Sequence, residues 1–163
     1  MRSRIFAIGL QMAFAGLMSP LVAQENPKEP EIIVIHPSAS TSSKQGIPIF
    51  QGISGKNAGA QHISMNKVVI PPGGAAKAHM HKGYESVVYL IKGRVKTLYG
   101  EGLKKSVINE AGDFLYIPAD LPHKPINMSD TEPAEAIVAR TDPNEQESVE
   151  QIAEPEDAGA EKK

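Results

Sequence analysis

Between Ile47 and Ala139 every apolar run is short, and a glycine or proline stands in each gap between one run and the next. The runs are Ile47 to Phe50, Val68 to Ile70, Ser86 to Ile91, Arg94 to Tyr99, Ser106 to Ile108, Phe114 to Ile117 and Ala134 to Ala139. Segments of this length suit strands and are too short for helices with a core-facing stripe. So many of them at such spacing predict an all-β sandwich or barrel. The 14 glycines, 13 prolines and low aromatic content agree, and 163 residues suffice for one compact domain but not comfortably for two. The barrel is placed at residues 46–141. Within it Val87-Val88-Tyr89-Leu90-Ile91 is apolar at every position, which predicts an inner strand covered on each side.

The ends of the chain read differently. Arg2 and Arg4 precede an apolar stretch from Ile5 to Met18 and a small-residue exit at Leu21-Val22-Ala23, the layout of a secretory signal peptide over residues 1–23. The stretch is short for a bilayer span, so the expected mature protein is exported, periplasmic or secreted, with no stable membrane insertion. Residues 24–45 form a polar leader in which Ile32 to Ile35 could make an edge strand. After the barrel, Asp142-Pro143-Asn144-Glu145 carries a capping residue, a proline at the first helical position and a glutamate three residues after the cap. That signature predicts a short closing helix to about Ile152 within residues 142–163, ending in an acidic tail.

Composition narrows the chemistry. With no cysteine, disulfides, thiolate metal sites and iron–sulfur clusters are excluded. Any metal must be held by nitrogen and oxygen. Loss of residues 1–23 leaves 15 basic residues against 19 acidic ones, a net charge of −4, which argues against a general affinity for nucleic acid.

Five histidines occur, and two of them, His79 and His81, lie two apart, so on a strand their imidazoles share one face. Glu85 follows beyond a turn through Lys82-Gly83-Tyr84, and a third imidazole is available at His123 between Pro122 and Pro125. Three imidazoles and a carboxylate suit a divalent first-row ion, and in an octahedral site they leave two positions open. The spacing is ordered as well. Gly73 is followed after five residues by His79, then by His81 and Glu85, with Gly93 closing the segment; Gly112 is followed after five residues by Pro118, then by Asp120, His123 and Asn127.

In these two stretches, Pro72 to Glu85 and Gly112 to Asn127, the chain resembles the cupin superfamily, over about Asn66 to Arg140. The resemblance implies a single six- to eight-stranded jelly-roll barrel with one metal ion inside. His79, His81, Glu85 and His123 would be the ligands, with Mn or Fe as the expected ion and Ni, Zn or Co as further options. The chain departs from the family in two places. Seven residues lie between Glu85 and Gly93 where the family has six, and Asp120 stands where glycine is usual.

The resemblance implies a metal-dependent enzyme, an oxidase, dioxygenase or decarboxylase, acting on a small oxygenated molecule. A non-catalytic module that binds a metal or small ligand is the alternative, and a homodimer whose barrel is only a scaffold is a third reading. Self-association into a homodimer is expected in any case. Lys77 would face inward on a regular strand and could attract an anion. Tyr89 and Tyr116 are expected in the core, His36 and His62 at the surface, and neither Glu101 nor Glu110 is assigned as acid or base.

Overall fold

The computed structural model describes residues 29–37, 39–144, 146 and 148–154. The expected signal segment and most of the expected acidic tail lie outside the described residues. Two units separate after Ile32. Of the first, residues 29–32 are described, and they are exposed without regular structure. The second holds every strand among the described residues.

Eleven strands follow in chain order: β1 (Thr41–Ser42), β2 (Pro48–Ile53), β3 (Ser64–Ile70), β4 (His79–His81), β5 (Ser86–Lys92), β6 (Arg94–Tyr99), β7 (Lys105–Glu110), β8 (Phe114–Ile117), β9 (His123–Asn127), β10 (Ala134–Arg140) and β11 (Val149–Gln151). They form two antiparallel sheets, one ordered β1-β2-β3-β10-β5-β8 and the other β11-β4-β9-β6-β7. This is the jelly-roll arrangement expected from the sequence. Two short helical turns interrupt it, α1 (Gly55–Ala58), where Ser54 and Asn57 cap each other reciprocally, and a 3-10 turn at Glu101–Leu103. No helix among the described residues is long and apolar enough to cross a membrane.

Alternation along the strands sorts the side chains. On β5 the residues Ser86 and Leu90 are buried and Val88 half-buried, while Val87, Tyr89 and Ile91 point out and are exposed. On β10 Ala134, Ala136 and Arg140 point in, and on β3 Ser64, Asn66 and Ile70 do. The buried core gathers Ile47, Ile70, Ala76, Leu90, Val95, Ala134 and Ala136 between the sheets, with Val68 and Val88 packed against it. Burying a leucine such as Leu90 contributes roughly 1.5–3 kcal/mol. Gly93 turns β5 into β6 at φ +94°, and a Cβ there would stand 2.9 Å from the Ala134 Cα, so both the turn and the close strand approach require glycine.

Three expectations are corrected. β5 is flanked by β10 and β8 but is not covered on each side: its outer face is open, because no second layer packs there. Residues 31–37 carry no strand. Pro30 and Pro37 flank that run and cannot donate to a ladder, and the sheet edge is made by Thr41–Ser42 paired with β2 instead. The closing helix is absent from the described residues. Asp142 Oδ1 accepts the Asn144 N–H as a cap would, but Val149–Gln151 is a strand antiparallel to β4. The open edge of β4 offers that segment a full ladder, and tertiary pairing overrides a local helix signal.

Candidate metal centre

Strands β4 and β9 bring the histidines together. His79 and His123 are register partners across the two strands, and His81, two residues along β4, points to the same side. The ring centroids lie 4.3 Å apart for His79 and His123, 5.1 Å for His79 and His81, and 5.6 Å for His81 and His123. One nitrogen from each ring falls within 4.8 Å of the others, a set that could hold a metal ion.

Backbone carbonyls orient two of the three rings. His79 Nδ1 lies 2.7 Å from the Lys77 carbonyl oxygen and His123 Nδ1 lies 2.8 Å from that of Leu121. A carbonyl can only accept, so in each ring Nδ1 carries the proton and Nε2 presents its lone pair. His81 Nδ1 is buried without a partner among the described residues. All three rings are buried, and burial is the first cause that lowers their pKa values. For His79 the fall is to about 3, deepened by His123 and Arg140 and opposed by the Lys77 carbonyl. His81 is lowered further by Arg140, His79 and His123, and His123 is lowered with the Leu121 carbonyl opposing and Arg140 assisting. At neutral pH the cluster is therefore three uncharged donors, as metal ligands must be.

Glu85 does not join them. It is exposed, lines no part of the cavity, and its carboxylate accepts the Tyr116 hydroxyl proton on the outer face. The reason is strand parity: inward positions on β5 are Ser86, Val88 and Leu90, so Glu85 points the other way. The residue with six others between it and Gly93 is Ser86, not Glu85. The inward position beside it belongs to a buried serine, Ser86, whose Oγ accepts from Arg140 Nε at 2.9 Å.

The histidines line a cavity of about 90 Å³. Ser43, Gln45, Thr97, Asn109 and Arg140 also line it, and most of the remaining wall is aliphatic, from Ile47 through Val88 and Leu90 to Val138. No Asp, Glu, Lys or Tyr appears among the described lining residues. Lys77 is exposed and outside it, as are His36, His62, Glu101 and Glu110. Tyr89 and Tyr116 are exposed on the outer sheet face, contrary to expectation. Asp120 adopts φ +59°, the left-handed conformation for which glycine is usual, and its Oδ1 accepts the Gly83 N–H at 3.0 Å. Asn127 is structural: its amide donates to the carbonyls of Ile70, Pro71 and Glu132.

Between Asn66 and Arg140 the chain thus holds both glycine-punctuated segments, the histidine cluster and the strands that frame it, and the family model that matches over residues 66–140 is the cupin domain. These residues form a cupin domain. No curated protein sequence matches the chain significantly. Solved cupin-fold structures do. The oxalate decarboxylase of Lactobacillus farciminis, in a formate complex, shares 25% identity at a TM-score of 0.59, covering 69% of this chain and 33% of its own. A recombinant oxalate oxidase in complex with glycolate shares 26% at 0.55, covering 66% of this chain and 57% of its own. The polyketide cyclase RemF from Streptomyces resistomycificus, at 17% identity and a TM-score of 0.60, covers 78% of this chain and 89% of its own. The likeness to RemF shows the fold alone. The chain spans a third of the decarboxylase and little over half of the oxidase.

Two residues of this cupin site, Ser86 and Arg140, escaped the sequence reading. Ser86 could have been found by counting back from Gly93. Arg140, at the end of an apolar strand, leaves no comparable trace.

Proposed function

We propose that this chain is an exported cupin that holds one divalent first-row metal ion through His79, His81 and His123 and acts with it on a small oxygenated molecule. The observation that carries this reading is the convergence of three buried, uncharged imidazoles on one cavity wall. Imidazole donors suit Fe, Ni and Zn, whereas Mn prefers carboxylate and water. With Glu85 outside the cavity, Fe moves ahead of Mn among the expected ions. Once bound, such an ion supplies Lewis acidity or redox chemistry to a molecule that completes its coordination.

The chain's own residues would bind, orient and exclude water. The aliphatic wall keeps the cavity dry, and Arg140 with Ser86 places hydrogen-bond donors beside the histidines. Among the described lining residues no carboxyl, amine or phenol can deliver a proton, so an oxidase or dioxygenase fits better than a decarboxylase whose product carbon needs a protein acid. The same lack favours, as the second reading, a module that binds its ligand without turning it over.

Export rests on the layout of residues 1–23. A homodimer is supported by the outer face of the six-stranded sheet, where Val87 faces Tyr116, Tyr89 faces Phe114, and all four are exposed. An apolar face of this kind marks an interaction surface.

Elemental analysis of the protein purified from its own exported fraction is expected to find one divalent metal per chain. Oxygen uptake and CO₂ release across a panel of small acids and phenols then separate the readings. Uptake supports the oxidase or dioxygenase, and full metal without turnover supports the binding module. A protein that stays ion-free when offered Mn, Fe, Ni and Zn removes both.

A further inference from the structure

We infer that the ligand of this cavity is a short aliphatic monocarboxylate bearing an oxygen on the carbon next to its carboxylate, with the carboxylate set between the histidine cluster and Arg140. The inference rests on the metal reading above and goes on to name what the metal and its surroundings would select.

The charge of the wall comes first. Arg140 and Ser86 are register partners on β10 and β5, both side chains are buried, and both line the cavity with the three histidines. Ser86 takes the inward position on β5 next to Glu85, and it brings a hydroxyl rather than a carboxylate. The wall therefore presents a guanidinium and a place for a dication, and among the described lining residues it presents no anion. Guanidinium carries five N–H donors in a planar fork that matches a carboxylate, and Nε uses one of them on Ser86. Arg140 has a further interaction partner as well, so the ligand shares the fork. A single carboxylate supplied by the ligand takes the position that Glu85 does not fill.

The remainder of the wall decides between one carboxylate and two. Of the remaining wall, Ser43, Gln45, Thr97 and Asn109 are polar but uncharged, and Ile47, Ile49, Val68, Leu90, Leu115 and Val138 offer neither charge nor hydrogen bonds through their side chains. A second carboxylate placed against them would lose its hydration without a partner, whereas a short alkyl chain gains from the same contact. Size sets the upper limit. A water occupies roughly 10–15 Å³ on the scale of this cavity, so there is space for roughly six to nine water-sized groups, which suits a small acid better than a polycyclic phenol. An oxygen next to the carboxylate would give a bidentate grip on a metal with open positions, which a simple fatty acid lacks.

The test uses the full mature protein loaded with Fe(II) under anaerobic conditions, with metal content measured on every sample. Calorimetric titration compares 2-oxobutyrate, its neutral isostere 2-oxobutanamide, and oxalate. The acid is expected to bind at least about tenfold more tightly than either of the others. Arg140→Gln is expected to weaken the acid about tenfold or more while leaving the amide and the metal content unchanged. Ser86→Glu, which places a carboxylate opposite Arg140, is expected to keep the metal and abolish acid binding. If Arg140→Gln does not retain metal, Ser86→Glu and the three-ligand comparison on the wild type carry the test. Equal affinity for acid and amide, tightest binding of oxalate, or undiminished acid binding in a metal-replete variant overturns the inference and leaves the metal reading intact. A wild-type protein that takes up no metal overturns both, and the metal assay shows which case holds.

Discussion

Two peptide carbonyls decide what the histidines can do. Each lies two residues before its imidazole, Lys77 for His79 and Leu121 for His123, and each can only accept a proton from Nδ1. That fixes the tautomer before any ligand arrives, so the cost of orienting the rings is met in folding. Loss of a ring should therefore act on metal affinity far more than on the fold. In His123→Ala the affinity for Fe(II) is expected to fall by more than the roughly 10–100-fold that losing a supporting hydrogen bond costs, as read by chelator competition. Glu85→Gln is the contrasting variant. Its carboxylate meets only Tyr116 among the described side chains, so metal affinity should equal that of the wild type. A large loss in Glu85→Gln would return this carboxylate to the ligand set and undo the parity assignment. The histidines were legible in the sequence because a two-residue spacing on a strand has one geometric meaning. The glutamate was misread because identity at nearly the right spacing outweighed a shift of one residue, and one residue on a strand is the difference between inside and outside.

At the scale of elements, β4 is three residues long and would be a poor support for two ligands by itself. Its register contact with β9 is the single pair His79 and His123, and β11 supplies the rest by pairing Val149 with His81 and Gln151 with His79. The segment expected to cap the barrel as a helix thus acts as the outer rail of the ligand strand. Further bonds hold that rail: Ile152 N–H donates to the Ala78 carbonyl, and Glu154 accepts from the Ala78 N–H and pairs with Lys124. The six-stranded sheet shows the opposite condition, with a whole face unpaired. Val87, Tyr89, Phe114 and Tyr116 form two facing pairs across β5 and β8, and Phe114 is 83% exposed. If two copies bury this face, Phe114→Lys with Val87→Lys places unpaired charges in the interface. Light scattering on a sizing column is expected to give a dimer for the wild type and a monomer for the double variant, with the far-UV spectrum unchanged. A wild-type monomer at micromolar concentration would show that the face serves another partner.

At the scale of the molecule, the barrel was readable because its signals are local: alternation gave the faces, and glycine or proline gave the turns. The seven expected strands all appear, and β8 falls on the residues expected of it, Phe114–Ile117. Three strands were missed: β1 is only two residues long, and β9 and β11 take their conformation from neighbours distant in sequence, with a proline in β9 that hides its pattern. One property belongs to the assembled barrel alone, its response to acid. Burial lowers the pKa values of all three site histidines, that of His79 to about 3, while in the unfolded chain each returns to about 6.5. Above that value both states are neutral and the cluster costs the fold nothing. Below it the unfolded chain takes up protons that the folded cavity refuses, so stability falls as pH drops from about 6.5 towards 3. For His79 the loss is about 2 kcal/mol by pH 5, and His81 and His123 act in the same direction, against the roughly 5–15 kcal/mol that holds a typical domain. The metal-free protein is therefore expected to show a constant melting temperature above pH 7 and a steep decline below pH 6. Metal loading should steepen it, because protons compete for the lone pairs that bind the ion. His79→Gln in the metal-free protein should flatten the decline, since one of three titrating rings is gone. Scanning calorimetry from pH 4.5 to 8 reads all three curves, and a melting temperature that stays level to pH 5 would mean that the rings are open to water and the cavity is not the dry site described.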